Sequence, residues 1–409
     1  MAAEPGYRRV NWRPVGIPSQ SPSAPRVALV HDFLLDVRGA ERVFIELCAM
    51  WPDADIFTAV YDEAGTEGRF ASRNVHSSFL QRLRPSSRTF RALLPLYPAA
   101  IESFDMSDYD LVVSSSSAWA HAVLCGERSV HVSYCHNPFR YAWNDRDETL
   151  SRRDPVTRAF LRGVFRRWRQ WDWIAAQRTN RYVANSSITQ ARIRAYFGRE
   201  SEVVHPPVDT ARFSPGPVGD YYLIVSELMA HKQIDVAIAA FNKLKLPLVI
   251  VGDGPHARRL QRQSGPTVRL VGRLSDAEVA STLSGARALI VTSVEEFGIT
   301  AVESLAAGRP VIARGAGGVL ETIVDGVTGS FWSGGRDALA QTVLQFDEAA
   351  VDPLVCTRHA ERFGIKSFRG GLTKEIEAAC AHDGRPVVGG REPLASTRLV
   401  RRAARDTHR

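Results

Sequence analysis

The chain has 409 residues, enough for two or three compact domains, and its 44% hydrophobic and 23% charged residues are typical of a folded protein. Of the net charge of +8, residues 1–25 carry +2 and residues 384–409 carry +5, so the body is nearly neutral. This distribution excludes a basic surface over the whole body and disfavours nucleic acid as a partner. Both charged ends are predicted to be disordered tails.

The cysteines and the N-terminal sequence indicate a reduced, cytoplasmic protein. The five cysteines are scattered and include no CxxC pair, so we expect neither a disulfide framework nor a zinc site. The N-terminus lacks the apolar core of a signal peptide, and no run reaches the roughly 18 apolar residues of a membrane-spanning helix. We therefore expect any membrane contact to be peripheral, on the inner face of the cell membrane.

Short apolar runs alternate with helical stretches along the chain. The first run, VALVH within 26–31, predicts a buried strand, and residues 39–50 predict a helix. Further strands are predicted at 54–60, 111–114, 130–134, 182–185, 203–205, 222–226, 246–252, 268–272, 288–293 and 310–315. Apolar strands separated by helices predict parallel sheets that are covered on both faces.

A segment rich in proline, residues 206–217, divides the chain into two such arrays. The sequence therefore predicts the α/β class, with two Rossmann-like parallel-sheet domains at 26–213 and 214–363. A C-terminal helix at about 364–381 is expected to complete the first domain. Because open parallel sheets bind ligands beyond the carboxyl ends of their strands, we expect the site in the cleft where the two domains face each other.

The stretch TSVEEFGITAVESLAAG at 292–308 is the most informative in the sequence. A predicted strand ends at Ser293, a short loop follows, and a helix is predicted to begin near Gly298. The backbone N–H groups of Gly298, Ile299 and Thr300 would then be free to bind an anion such as a diphosphate.

Two glutamates in this stretch are candidates for holding the groups on either side of that diphosphate. Glu303, on the helix, can accept hydrogen bonds from a ribose diol, and Glu295, in the loop, would face a sugar. The alternative is structural, because Thr300-x-x-Glu303 has the spacing of a helix capping box. The spacing by itself leaves both interpretations open.

The spacing of Glu295 and Glu303, with FGI between them, resembles the E-x7-E signature of the retaining GT-B glycosyltransferases of family 4. The likeness extends from about Val27 to Ala379. It also includes RGAER at 38–42, YCHNPFRYAW at 134–143, HPPVDTARF at 205–213 and ELMAHKQID at 227–235. The YCHNPFRYAW stretch further resembles the mannosyltransferases that use GDP-mannose.

This resemblance implies catalytic roles for Glu295, His136 and Lys232. Glu295 and His136 would contact the transferred sugar, and Lys232 would neutralise the departing diphosphate. Donor-binding roles are implied for Gly39, Arg273, Phe297, Gly298, Ile299, Thr300 and Glu303. The residues alone also allow a solvated lysine and a structural histidine at these positions.

One residue departs from the pattern of the family. The resemblance implies an arginine five positions before Lys232, where this chain has Glu227. A carboxylate beside a diphosphate repels it. Either Glu227 points away and another cation substitutes, for which Arg273 and Arg314 are candidates, or turnover is impaired.

The resemblance implies a hexosyltransferase that acts without a cofactor or an essential metal. The favoured reaction moves mannose from GDP-mannose to a lipid-linked or polysaccharide acceptor in cell-envelope or exopolysaccharide biosynthesis. The alternatives are a UDP-sugar-dependent GT-B enzyme, a sugar nucleotide epimerase, and a catalytically silent nucleotide-sugar-binding subunit of a polysaccharide assembly. Three DxD pairs at 53–55, 108–110 and 145–147 are interpreted as chance rather than as a metal site.

Two basic stretches, 82–97 and 152–181, suggest contact with an anionic membrane surface, where a lipid-linked acceptor would lie. The second contains nine arginines interleaved with aromatic residues. One apolar stripe on its predicted helix fits either burial against the N-terminal domain or insertion into the membrane surface. That stripe consists of Leu161, Val164, Phe165, Trp168, Trp171 and Ala175.

Overall fold

The computed structural model describes residues 25–86, 89–151 and 153–382, so the two charged tails lie outside the described residues, as do Arg88 and Arg152 of the basic stretches. Two parallel sheets form the frame of the molecule. The first sheet has the strand order β3-β2-β1-β4-β5-β6-β7 and the second β10-β9-β8-β11-β12-β13. The predicted α/β class and its two Rossmann-like sheets are confirmed.

The strands of the first sheet are β1 (Val27–His31), β2 (Asp55–Thr58), β3 (Val75–Ser77), β4 (Leu111–Ser116), β5 (Val130–Cys135), β6 (Arg181–Ala184) and β7 (Ser201–Val203). Those of the second sheet are β8 (Tyr222–Val225), β9 (Leu248–Val251), β10 (Val268–Gly272), β11 (Leu289–Val291), β12 (Val311–Arg314) and β13 (Gly329–Trp332). The central strands β4, β5 and β9 are buried along their whole length, which explains their apolar sequences.

Helices cover both faces of each sheet. In the first half of the chain they are α1 (Gly39–Met50), α2 (Tyr97–Glu102), α3 (Arg146–Ser151), α4 (Pro155–Ala176) and α5 (Ser187–Phe197). In the second half they are α6 (Ile234–Leu244), α7 (Ala257–Gln263), α8 (Asp276–Gly285), α9 (Ile299–Ala306), α10 (Val319–Thr322), α11 (Arg336–Gln345), α12 (Pro353–Ala360) and α13 (Ile365–His382). Hydrophobic clusters consequently lie on both faces of each sheet, and a further, smaller cluster packs beside β5 and β6.

The last helix, α13, returns to the first sheet. Its buried residues Phe368, Leu372 and Ile376 share a hydrophobic cluster with Phe44 of α1 and Tyr134 of β5. We name the body built on the first sheet, including α13, the N-terminal domain, and the body built on the second sheet the C-terminal domain.

Three strand assignments differ from the sequence analysis. The edge strands β3 and β13 were not predicted, because they are only three and four residues long and partly exposed, and so lack a continuous apolar run. The strand predicted at 203–205 is Ser201–Val203 in the structure, so that prediction was wrong by two residues. The following residues, His205 to Pro207, belong to the connection between the domains, where proline cannot donate to a ladder.

The strand order reverses direction between β1 and β4 in the first sheet and between β8 and β11 in the second. In open parallel sheets these reversals open a crevice at the carboxyl ends of the strands. Here the two crevices face each other, as ion pairs between the two domains show. Arg38 of the N-terminal domain pairs with Glu227, which follows β8, at 3.0 Å. A second cross-domain ion pair joins Arg42 and Glu303 at 3.3 Å.

Helix α4 buries the apolar stripe that the sequence left open between two interpretations. The Trp168 and Trp171 rings lie 5.6 and 5.4 Å from the Trp119 ring, and Trp168 also packs on Phe139. The stripe therefore packs against the N-terminal domain. Within the described part of the chain, no helix is both long enough and apolar enough to cross a membrane.

Candidate active site

The start of α9 presents open backbone amides at the carboxyl end of β11. Gly298 caps the helix in a left-handed conformation, with φ of +93°, which a glycine adopts without strain. Among the described residues, the N–H groups of Gly298, Ile299 and Thr300 have no hydrogen-bond acceptor. The helix N-terminus is therefore able to accept an anion.

The alternative capping-box interpretation of this segment is wrong. The helix is capped by Gly298 rather than Thr300, and no side chain caps it. Glu303 is the fifth helical residue, and its carboxylate points instead to Arg42 across the cleft.

Glu295 lies in the loop between β11 and α9 and is held by two donors. The Lys232 ammonium donates to both carboxylate oxygens, at 2.7 and 2.8 Å, and the Ser293 hydroxyl donates as well. Burial by itself raises the pKa of Glu295, but the charge and hydrogen bonds of Lys232 and the Ser293 bond outweigh it and lower the pKa below its ordinary value. Glu295 is therefore an ionised, oriented carboxylate at neutral pH.

The backbone of the Glu295 loop rests on two glycines before α10. The Gly318 N–H donates to the Glu295 carbonyl at 2.8 Å, and Gly317 forms an isolated parallel bridge with Glu295. A Cβ atom on Gly318 would lie 2.3 Å from the Glu296 carbonyl oxygen, and one on Gly317 would lie 2.4 Å from that of Glu295. Only glycine allows this close backbone approach, which fixes the loop.

Glu303 faces the cleft from α9 in a more buried environment. Its carboxylate accepts a hydrogen bond from Arg42 at 3.3 Å, and Arg42 also pairs with Asp276 at 2.8 Å. Burial raises the pKa of Glu303, although Arg42 and Arg212 partly oppose that effect. The two glutamates of the motif therefore have pKa values shifted in opposite directions.

His136 follows β5 and belongs to a buried chain of hydrogen bonds at the reversal of the first sheet. Its Nε2 atom lies 2.8 Å from the Ser115 hydroxyl, which lies 3.1 Å from Nδ1 of His31. The other His31 nitrogen is 3.5 Å from the Glu41 carboxylate. Burial, together with the neighbouring His31, lowers the pKa of His136 to about 3, so the ring is neutral at physiological pH.

The remaining donor-binding candidates occupy different surroundings. Gly39 begins α1 and lies against α9 across the cleft, because a Cβ atom there would be 3.5 Å from the Ile299 side chain. The Phe297 side chain is buried and stacks on His205, so only its backbone is open to a ligand. Arg273 follows β10, its side chain is 70% exposed, and its ion-pair partner Glu67 lies at 4.0 Å.

Glu227 does not point freely into the cleft. Its two carboxylate oxygens accept hydrogen bonds from Nη1 of Arg38 at 3.0 and 3.1 Å. The other Arg38 nitrogen donates to Asp36 at 2.6 Å. The negative charge of Glu227 is therefore balanced by a cation from the opposite domain.

A further cross-domain ion pair involves Glu296, the neighbour of Glu295. Arg140, in the loop that carries His136, donates to Glu296 at 3.0 Å, and Arg192 of α5 lies 3.6 Å from the same oxygen. Arg192 also donates to the Asn137 side chain at 2.7 Å. The loop after β5 and the loop after β11 are thus joined by charge.

Sequence reasoning missed these cationic and relay residues, although signals for several of them existed. Arg38 and Arg42 flank Gly39 one helical turn apart in RGAER, and both reach across the cleft. His31 ends β1 and Ser115 lies on β4, so the strand reversal between them would have indicated their proximity once the strand order was known.

No metal site is formed by the acidic pairs within the described residues, where no group of three His, Cys, Asp or Glu side chains could hold a metal ion. Asp55 accepts a hydrogen bond from the Tyr109 hydroxyl at 2.6 Å, and Asp108 pairs with Arg26. Asp145 lies 3.9 Å from Arg140.

Comparison with known families matches most of the chain in two consecutive segments. Residues 37–212 match "Glycosyltransferase Family 4", and residues 212–365 match "Glycosyl transferases group 1". The boundary between the two matches falls in the connection between the two sheets.

Curated relatives match parts of the chain. A GDP-mannose-dependent alpha-(1-6)-phosphatidylinositol monomannoside mannosyltransferase of Mycolicibacterium smegmatis is 31% identical over 44% of this chain and 54% of its own length. A D-inositol 3-phosphate glycosyltransferase of Mycobacterium tuberculosis is 30% identical over 38% of each chain. The chain thus spans about half or less of the length of these relatives.

Solved structures resemble the fold over most of its length. HepE of Anabaena, in complex with UDP and glucose, aligns with a TM-score of 0.63 and 17% identity over 85% of this chain and 98% of its own. Sucrose-phosphate synthase of Thermosynechococcus elongatus aligns with a TM-score of 0.66 and 18% identity over 87% of this chain and 100% of its own. At these identities the likeness shows the fold alone.

Proposed function

Since this chain is a glycosyltransferase of the GT-B fold and the family 4 type, we propose that it transfers mannose from GDP-mannose to a lipid-linked or polysaccharide acceptor, with retention of the anomeric configuration. The observation that carries the proposal is the arrangement of Glu295, ionised and held by Lys232, next to the open amides of α9. The donor and the acceptor class draw support from the mannosyltransferase relative, whose name specifies GDP-mannose and a phosphatidylinositol mannoside.

In this proposal the diphosphate lies against the amides of Gly298, Ile299 and Thr300, with Lys232 supplying a positive charge beside it. Transfer breaks the bond between the anomeric carbon and the donor phosphate oxygen, so negative charge grows on the diphosphate. Amides and a cation that are fixed before the reaction stabilise that charge without reorganising. The acceptor hydroxyl forms the new bond to the same carbon and gives its proton to the departing diphosphate.

The remaining side chains orient the donor on either side of the diphosphate. Glu303 accepts hydrogen bonds from the ribose, exchanging its present partner Arg42 for the ligand. Glu295 positions the sugar from the C-terminal domain, and neutral His136 contacts it from the N-terminal domain. The cross-domain ion pairs Arg38–Glu227 and Arg140–Glu296 keep the cleft closed around the donor, which limits its hydrolysis by water.

The experiment that tests the proposal compares two donors. Purified protein is incubated separately with GDP-mannose and UDP-glucose, with and without membrane extract, and the released nucleoside diphosphate is measured. We expect GDP release that increases with extract and no UDP release. UDP release alone would show that the donor is UDP-glucose and not GDP-mannose. Binding of either donor without turnover would favour a catalytically silent subunit.

We further propose that the acceptor is reached at an anionic membrane surface through the two basic segments. Both segments pack their apolar sides into one cluster of the N-terminal domain, which places them on the same face of the first sheet. Phe160 of α4 is 70% exposed, and Arg162 and Arg166 of the same helix are exposed as well. Such a surface suits anionic lipid headgroups.

Co-sedimentation with vesicles tests this membrane contact. We expect the protein to sediment with phosphatidylglycerol vesicles at low salt and to remain in solution with phosphatidylcholine vesicles. The variant F160S/R162Q/R166Q should lose the interaction while retaining donor hydrolysis. If the wild-type protein does not sediment with anionic vesicles, the proposed membrane contact is wrong. That result would not bear on the proposed transfer reaction.

A further inference from the structure

The C-terminal domain requires a second cation near Lys232 if it is to hold a diphosphate. The Lys232 ammonium is already within 2.8 Å of both Glu295 carboxylate oxygens. A single lysine shared with a carboxylate does not balance a diphosphate in a partly desolvated cleft.

Arg38 and Arg273 at the cleft are poorly suited to this task. Arg38 is engaged by two carboxylates, Asp36 at 2.6 Å and Glu227 at 3.0 Å, so its charge is already balanced. Arg273 has a side chain that is 70% exposed, where water and salt screen its interaction with a ligand.

Arg314 differs from both because a neutral group holds it. It ends β12, the neighbour of β11, and its Nη1 atom donates to the Gln233 amide oxygen at 2.6 Å. Gln233 directly follows Lys232 in the chain. Among the described residues, Arg314 takes part in no ion pair, so the amide orients the guanidinium without cancelling its charge.

The backbone of Arg314 is also tied to the Glu295 loop. Arg314 starts the turn that leads to Gly317 and Gly318, the two glycines on which the Glu295 backbone rests. Arg314 is therefore anchored at one end to the loop that carries Glu295 and at the other to the segment that carries Lys232. A half-buried, oriented and unneutralised guanidinium at this junction is a pre-organised anion-binding group.

We propose that Arg314 is the second phosphate-binding cation of the donor site and takes the place of the arginine that is absent at residue 227. Arg38 neutralises Glu227 from the N-terminal domain, so Glu227 does not repel the donor. This inference rests on the proposed donor-binding function and deepens it by assigning a residue that recognises the diphosphate.

Calorimetric titration with GDP, UDP, guanosine and uridine tests the assignment. For the nucleoside diphosphate that the wild-type protein binds, R314Q should weaken binding by about 10- to 100-fold, because it removes a charge-assisted contact. Binding of the matching nucleoside, which has no phosphate, should be unchanged. R314K keeps the charge and should stay within about fivefold of the wild-type affinity.

Two further variants serve as comparisons. K243Q, which breaks the exposed Lys243–Asp337 pair, should bind within about twofold of wild type, and R273Q, which removes the exposed alternative cation, should lose less affinity than R314Q. Thermal unfolding checks that every variant is folded. If R314Q does not fold, the affinity of R314K is compared with that of the wild-type protein instead.

Four results would overturn the assignment. They are wild-type diphosphate affinity in R314Q, an equal loss for diphosphate and nucleoside, a loss as large in R314K as in R314Q, and a loss in R273Q as large as that in R314Q. If the wild-type protein binds no nucleoside diphosphate at all, the proposed function itself fails, and this inference fails with it.

Discussion

The C-terminal wall of the cleft holds its acidic side chains through ion pairs, whereas the N-terminal wall holds His136 through a chain of buried hydrogen bonds. Lys232 lowers the pKa of Glu295 on the first wall, and burial lowers the pKa of His136 to about 3 on the second. At physiological pH Glu295 is therefore charged and His136 is neutral, and we name the two sides the charged wall and the neutral wall after these two residues. Lys232 and the amides of α9 on the charged wall suit a diphosphate, and the neutral His136 ring suits the hydroxyl groups of a sugar.

The largest expected effect comes from the charged wall. Glu295→Gln keeps the size of the side chain but removes the charge that Lys232 and Ser293 hold in place. We expect the rate of transfer to fall by about 1,000-fold, because a fixed charge at the reacting centre is lost. Steady-state assays of nucleoside diphosphate release with GDP-mannose measure this loss.

The matched control for this substitution is Asp337→Asn, which removes an exposed, paired carboxylate of the same domain. It should leave the rate within about twofold of wild type. Both variants should retain cooperative thermal unfolding. A Glu295→Gln enzyme with near-wild-type turnover would remove Glu295 from the reaction.

The next effect concerns the backbone that orients the charged wall. Gly318→Ala places a methyl group within 2.3 Å of the Glu296 carbonyl oxygen, so the loop must move. We expect a loss of about 2–3 kcal/mol in the free energy of unfolding and about 100-fold in turnover, because the displaced loop carries Glu295. Denaturant titration and kinetics on the same preparation give both values.

Gly163→Ala is the control for this backbone effect, because Gly163 lies on an exposed part of α4 with open space around its Cβ position. It should be neutral or stabilise the protein by up to about 1 kcal/mol. Equal effects of the two glycine substitutions would contradict a specific role for the turn at residue 318.

A smaller effect is expected on the neutral wall. Ser115→Ala removes the hydroxyl that connects His136 to His31, and it leaves a buried His136 nitrogen without its partner. The unsatisfied group should cost about 1–3 kcal/mol of unfolding free energy, and the less constrained ring should lower turnover by about tenfold. Denaturation and kinetic assays measure these two quantities.

Ser133→Ala provides the matched control on the adjacent strand. The buried Ser133 hydroxyl has no hydrogen-bond partner within the described part of the chain, so its removal should be neutral or slightly stabilising. Similar losses for Ser115→Ala and Ser133→Ala would indicate a packing effect and not a relay.

The last prediction concerns the pH dependence of stability. Burial lowers the pKa of His131 and His136 to about 3, from an ordinary value of 6.5, so unfolding at acidic pH takes up protons. Stability should therefore be fully present above about pH 6.5 and should decrease below it, with a slope approaching 1.4 kcal/mol per pH unit for each histidine. Denaturant titrations between pH 7 and pH 4 measure the slope.

His131→Gln removes one of these histidines from a site outside the proposed chemistry. The variant should show a shallower decrease in stability between pH 6.5 and pH 4 than the wild-type protein. An unchanged slope would contradict the neutral state of buried His131.

Local patterns in the sequence predicted the frame of the molecule but not the contacts between its halves. Apolar runs such as VALVH and LPLVIVG predict central strands because those strands are buried on both faces. The edge strand β13 was not predicted, because its GSFW sequence is partly exposed and shows neither a continuous apolar run nor an alternation of apolar and polar residues.

The candidate site was predictable where adjacent residues define it. The segment from Glu295 to Glu303 contains the loop, the glycine cap and the helix start within nine positions, so its geometry follows from local structure. The Arg38–Glu227 pair joins residues that are 189 positions apart, and the relay between Ser115 and His31 spans 84. Such contacts depend on strand order and domain orientation, which local periodicity does not encode.

The whole proposal depends on the amides at the start of α9, which together with Lys232 should hold the diphosphate of a sugar nucleotide. A crystal structure of the protein with GDP would locate that diphosphate. We expect phosphate oxygens at about 3 Å from the backbone nitrogens of Ile299 and Thr300, with the Lys232 ammonium in contact with the diphosphate. GDP bound with its diphosphate away from this helix start would show that these amides do not form the donor site.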